Sequence, residues 1–163
     1  MLLAVRTLLL ATSTIRSEAK VVRTNRTLSL PLPTSAQLEY HAMEMAMFVH
    51  FNVCTFADCE QNNPPRPAEV FNPTQPVDTD QWVKVAASLG AKQVCLTAHH
   101  SGGFALWQTN ATQYGMRQSP YMARKGDIVK DFVASCRTHQ ISPCFYIIPD
   151  WDSFESRSRK ANP

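Results

Sequence analysis

The 163-residue chain has no C-x-x-C pair, no G-x-G-x-x-G and no apolar run of about 18 residues, and each absence removes a class of function. Zinc ribbons, a glycine-rich dinucleotide turn after the first strand and a membrane-spanning helix are all disfavoured. No H-x-H is present either, since His50 is followed by Phe51 and Asn52. A clustered basic surface is missing as well. The formal net charge is +3, but residues 1–31 carry five Lys and Arg against one acid, leaving eleven bases against twelve acids in the remainder. The folded part is near neutral, which argues against nucleic acid as a partner.

What is present is an ordinary globular composition, 44% hydrophobic and 18% charged, in a chain long enough for one domain with a sizeable core. Residues 1–19 read as a signal peptide or other leader. Met1 to Thr12 has the apolar weight of a signal peptide, although Arg6 interrupts it and no charge precedes it. A mitochondrial presequence and a misplaced start stay open beside it. The leading expectation is a secreted chain, with Asn25-Arg26-Thr27 and Asn110-Ala111-Thr112 as glycan acceptors if it enters the secretory pathway. Of five cysteines, Cys95, Cys136 and Cys144 sit in apolar strand or helix faces and read as buried thiols. Cys54 and Cys59 are close enough in sequence to pair across a short loop, or to stay reduced.

Residues 20–36, with Pro31, Pro33 and several Ser and Thr, read as an extended linker. From Gln37 the chain alternates strand and helix. Strands are expected at Met45–Val49, Gln93–Thr97 and Cys144–Ile148, and helices at Thr79–Leu89 and Asp127–His139. Asp78 or Thr79 caps the first helix, whose apolar face is Trp82, Val85, Ala86 and Leu89, and Gly90 lies just past its end. Asp127 opens the second, with Ile128, Val129, Phe132, Val133 and Cys136 as its stripe. Single helices between short apolar strands imply parallel strands joined by right-handed crossovers, so the fold class is α/β. Long loops follow the strands and short turns follow the helices. That asymmetry, without a phosphate fingerprint, favours a (β/α)8 barrel over a doubly wound sheet. Three strands cannot close such a barrel, so the chain reads as about the first three βα units, truncated before closure. Residues 37–152 make up this part, and 153–163 read as a polar tail.

Chemistry is expected where strands end. His50 follows the first strand, His99 and His100 follow the second, and Tyr146 lies near the end of the third. An imidazole donates from one ring nitrogen and accepts at the other, which suits sugar hydroxyls. Adjacent residues on an extended segment point to opposite sides, so His99 and His100 are not expected to share one ligand. Phe104 and Trp107 either stack on an apolar sugar face or pack between loops. Glu60 is either a sugar ligand or a solvated loop acid. Asp150 and Asp152 resemble a glycosidase carboxylate pair, but their place against the third strand argues against that role.

An ordered set of motifs carries a family resemblance over residues 37–152. Met47 to Asn52, Cys59-Glu60, Val70-Phe71-Asn72-Pro73 leading to Asp80-Gln81-Trp82, Leu96 to Trp107, and Gly126 to Val129 together resemble the amino-terminal part of α-L-fucosidases of glycoside hydrolase family 29. The resemblance implies a (β/α)8-like barrel followed by a β-sandwich, and retaining hydrolysis of terminal L-fucose by two carboxyl groups without a cofactor. Both carboxyl groups would lie beyond Pro163, leaving this chain inactive alone. It also implies that His50, Glu60, His100 and Tyr146 bind the sugar, with fucosylated glycans or glycoconjugates as partners and neither nucleic acid nor membrane. Against the family's K-H-H-D-G-F, His99 falls on the lysine, His100 on the first histidine, Ser101 on the second and Gly102 on the aspartate. Gln61 stands where a tryptophan usually follows the acid. A noncatalytic sugar-binding relative, or a barrel hydrolase using His50, His99 or His100 and a carboxylate to hold a metal, are the competing readings.

Overall fold

The computed structural model describes residues 31–148, 152–155 and 157. The chain divides into two units, Met1–Leu32 and Pro33–Pro163, and the elements below belong to the second. The segment read as a leader, the Asn25 sequon and Asp150 lie outside the described residues.

The order is α1 (Ser35–Ala42), β1 (Ala46–Val49), α2 (Cys54–Ala57), α3 (Thr79–Ser88), β2 (Gln93–His99), α4 (Ile128–Thr138) and β3 (Ser142–Ile147). Helix α1 begins two residues inside the segment read as linker. Its start is a capping box: Thr34 Oγ1 accepts from the Gln37 N–H, and Gln37 Oε1 accepts from the Thr34 N–H. Asp78 and Asp127 cap α3 and α4 in the expected way, accepting from the N–H groups of Gln81 and Lys130. Gly90 ends α3 at φ +81°, a conformation glycine adopts without a Cβ penalty.

The three strands form one parallel sheet in chain order, with Phe48 beside Cys95 and Cys95 beside Cys144. Alternation turns Val94, Leu96 and Ala98 to one side of β2, where Val94 and Leu96 join Val83, Ala86, Phe132 and Cys136 in the core. The helices therefore cover one face. The other carries Phe48, Cys95, Cys144 and Tyr146, all half-buried or exposed.

That partition corrects two readings. Cys95 and Cys144 are half-buried rather than buried, because they face away from the helices; Cys136, on the core stripe of α4, is fully buried. On α3 the inward residues are Thr79, Val83 and Ala86, while Val85 and Leu89 are exposed. A polar contact sets this rotation: Thr79 hydrogen-bonds Ser135 of α4 at 2.8 Å between the helices, and apolar count alone does not see it. Phe104 is also core, stacked on Phe71 at 5.2 Å and 3% exposed, so packing between loops wins over sugar stacking. The segment read as a polar tail begins with a helical turn at 153–155, and Phe154 stacks on Tyr114 at 4.8 Å. Cys54 and Cys59 form a disulfide.

Candidate functional site

β1 ends at Val49, and Thr97 of β2 fixes how the chain leaves it. Thr97 Oγ1 donates to the Val49 carbonyl at 3.3 Å and accepts from the Phe51 N–H at 3.4 Å, so a buried hydroxyl replaces ladder bonds that β1 no longer supplies. His50, held between those two anchored residues, lies on the uncovered side of the sheet against Phe48, with ring centroids 4.7 Å apart. His100 follows β2. Its ring lies 5.5 Å from that of His50 and 5.8 Å from that of Tyr146, and Tyr146 returns to Phe48 at 5.9 Å. Four rings from three strand ends thus close a circuit.

The loop after β2 is held to the core, which limits movement of His100. The Leu106 N–H donates to the Ala98 carbonyl, the Gly103 N–H donates to the His100 carbonyl, and Ile128 at the start of α4 donates back to Leu106. Gly102 and Gly103 are buried where a Cβ would meet Asn62 or Asp152 at 2.6 Å. Ser101 Oγ lies 3.0 Å from His100 Nδ1. A hydroxyl donating there leaves the Nε2–H to donate to a ligand. Burial first, then the neighbouring His50 and His99, hold the His100 imidazole below its ordinary pKa, favouring the neutral form that both donates and accepts.

The structure brings His50, His100 and Tyr146 together and leaves Glu60 apart. Glu60 is exposed beside the Cys54–Cys59 disulfide, and the open cavity of about 520 Å³ that it lines belongs to its own loop. Among the described residues it makes no hydrogen bond or ion pair. His99 takes the opposite side from His100: its Nδ1 is 2.9 Å from the Ile148 carbonyl and its Nε2 3.6 Å from Asp152. No group of three or more His, Cys, Asp or Glu is placed to hold a metal ion among the described residues. Sequence reasoning missed Phe48 and Ser101. Phe48 was within reach of it, because two residues before His50 on a strand is the same face.

Two imidazoles, a phenol and a phenyl ring thus meet at the carboxyl ends of three parallel strands. The family profile described as Alpha-L-fucosidase matches residues 32–162. The chain belongs to the α-L-fucosidase family. An Arabidopsis thaliana relative, Alpha-L-fucosidase 1, is 34% identical over 147 residues, covering 90% of this chain and 29% of that protein. A solved glycoside hydrolase 29 family member from an unknown rumen bacterium matches with a TM-score of 0.71 and 34% identity, over 75% of this chain and 22% of that one. A Ruminococcus gnavus fucosidase solved in complex with fucose matches at TM-score 0.66 and 28% identity, over 74% of this chain and 25% of its own. This α-L-fucosidase family chain spans less than a third of the length of each of these relatives.

Proposed function

We propose that the whole protein is a retaining α-L-fucosidase acting on terminal L-fucose of glycans or glycoconjugates, and that His50, His100 and Tyr146 hold the fucose ring. The observation that carries this reading is the convergence of those three rings, with Phe48, at the carboxyl ends of β1, β2 and β3. In open and closed parallel sheets alike, ligands gather at that end. For Glu60 the support is its place in the family motif.

The three strands are then the first of a (β/α)8 barrel, and the remaining strands supply the two carboxyl groups, about 5–5.5 Å apart in retaining enzymes. One attacks the anomeric carbon while the other protonates the leaving oxygen; the rings here orient the sugar without entering the bond changes. The disulfide between Cys54 and Cys59 supports passage through an oxidising compartment, in keeping with a secreted or lysosomal enzyme.

Expression of the whole protein and assay on aryl glycosides tests the reading. The expected result is release of L-fucose with retained anomeric configuration, followed by proton NMR, and no comparable turnover of aryl glucosides or galactosides. The second reading is a noncatalytic sugar-binding relative, in keeping with Ser101 and Gly102 standing where the family motif has its second histidine and its aspartate. Fucose binding without hydrolysis would establish that one instead.

A further inference from the structure

Asn110-Ala111-Thr112 has the pattern of a glycan acceptor, and the sugar-site reading leaves it unused. Such a tripeptide is common by chance, so what the fold does with it decides. The loop that carries it leaves the core and returns at one point. The Ala105 N–H donates to the Tyr114 carbonyl at 3.1 Å, and the Met116 N–H donates to the Ala105 carbonyl at 2.9 Å, so that Ala105 bridges Gly115. Between these anchors Leu106 and Tyr114 are buried, while Asn110 and Ala111 stand exposed in a bend at the tip. Two threonines hold the tip: Thr109 Oγ1 accepts the Ala111 N–H at 3.0 Å, and Thr112 Oγ1 accepts the Tyr114 N–H at 3.1 Å.

We propose that Asn110 is a modification site that carries an N-linked oligosaccharide. Its amide is arranged for one. Oδ1 accepts from Arg117 Nη1, a guanidinium nitrogen that also donates to the Thr109 carbonyl at 3.3 Å. Nδ2, the atom a glycan takes, makes no hydrogen bond among the described residues and lies on an exposed side chain. Asn62 shows the opposite arrangement: it is 4% exposed, both of its amide atoms are bonded, and the Asn63-Pro64 that follows gives no acceptor pattern. The disulfide between Cys54 and Cys59 is a second, independent observation, since it marks an oxidising compartment such as the endoplasmic reticulum lumen, where N-linked oligosaccharides are attached.

The donor is an oligosaccharide carried on a lipid pyrophosphate. Nδ2 bonds to the anomeric carbon of its first sugar as the bond from that carbon to the pyrophosphate oxygen breaks; the lipid pyrophosphate leaves, and the amide gives up one proton to a base of the transferase. No electrons are exchanged with a further reactant. Transfer takes place on the extended chain as it enters the lumen, so folding afterwards has to leave a bulky, hydrated substituent in solvent. An exposed tip closed by a buried bridge meets that demand.

The whole protein, secreted from a eukaryotic host, is mapped by mass spectrometry after trypsin, before and after peptide N-glycosidase in heavy-oxygen water. The tryptic peptide 93–117 contains Asn110 as its one asparagine. It is expected to appear only after the glycosidase, with a labelled aspartate at position 110. Asn110→Gln and Thr112→Val are expected to lose the mass of one oligosaccharide from the intact protein, and Thr112→Ser to keep it. Unmodified peptide 93–117 in protein whose Cys54–Cys59 bond has formed overturns the proposal, as does protein recovered reduced and without glycan. If a variant fails to be secreted, the wild-type peptide decides alone. Fucoside hydrolysis enters none of these measurements, so the site stands or falls apart from the fucosidase reading.

Discussion

Gly102 lies so close to Asn62 that a Cβ at position 102 would fall 2.6 Å from the Asn62 Cβ. This contact locks the loop bearing His100 against the segment that follows Glu60. Asn62 cannot yield, because its Oδ1 accepts the Arg66 N–H at 2.8 Å and its Nδ2 donates to the Tyr114 hydroxyl at 2.9 Å. Gly102→Ala is expected to destabilise the fold by about 1–3 kcal/mol through overpacking, measured by urea unfolding. Backbone strain is not the cause, since Gly102 is not among the positive-φ glycines. Asn62→Gly should therefore relieve part of the cost in a double-mutant cycle. Additive losses would show that the two loops are not in contact.

His100→Ala in the whole protein is expected to weaken use of an aryl fucoside by about 1–3 kcal/mol, through loss of a partly buried polar contact. By contrast, truncation of the exposed Glu44 should change neither activity nor stability. An unchanged kcat/KM for His100→Ala would remove this ring from the sugar site.

The depressed pKa of His100 makes stability depend on pH in a definite direction. The unfolded chain takes up the proton at higher pH than the folded one, so this group's contribution is complete above its ordinary value of 6.5 and is lost as pH falls through the lower folded value. Unfolding free energy measured from pH 7.5 down to pH 5 should fall more steeply for the wild-type protein than for His100→Gln. Parallel curves would contradict the desolvation seen at this ring.

Element order was legible because capping residues and apolar periodicity agreed: Asp78 and Asp127 stand at the starts of α3 and α4, and strand-like runs precede the long loops. The convergence of His50, His100 and Tyr146 followed from the same parallel order. The rotation of α3 was not legible, since Thr79 finds Ser135 across 56 residues. His99 and Asp152 were each visible as ionisable residues, but their meeting depends on the turn at 153–155 folding back over Gly103. Phe104 could not be assigned from sequence, because an aromatic beside a strand end looks the same whether it faces solvent or Phe71.

The disulfide between Cys54 and Cys59 closes a short loop directly before Glu60. In the chain-entropy account a loop this short restrains the unfolded state by about 2 kcal/mol, so Cys54→Ser should lower stability by up to that amount under non-reducing conditions. Native Cys95, next to Cys144 in the sheet, should alkylate slowly. Burial, and then the hydrogen bond with Cys144, push its thiol up to about 12, leaving little thiolate at neutral pH. Mass spectrometry after brief iodoacetamide treatment checks this: rapid native labelling of Cys95, matching that of the unfolded chain, would refute the burial of its sulfur.

Thr97→Val separates the geometry of the site from its chemistry, because the Thr97 hydroxyl bonds the backbone at the end of β1 and, among the described residues, no side chain of a candidate sugar ligand. Valine keeps the shape but leaves the Val49 carbonyl and the Phe51 N–H without the hydroxyl that joins them. Each group then bears its own desolvation cost, and the expected loss is about 1–3 kcal/mol of stability. His50 sits between these two anchors, so fucose affinity of the whole protein should fall as well, while Thr97→Ser, which retains the hydroxyl, should recover most of it. The discriminating measurement is an NMR titration with L-fucose on both variants. If valine and serine bind equally well, the threonine hydroxyl does not place His50, and the ring circuit must be held by the aromatic contacts alone.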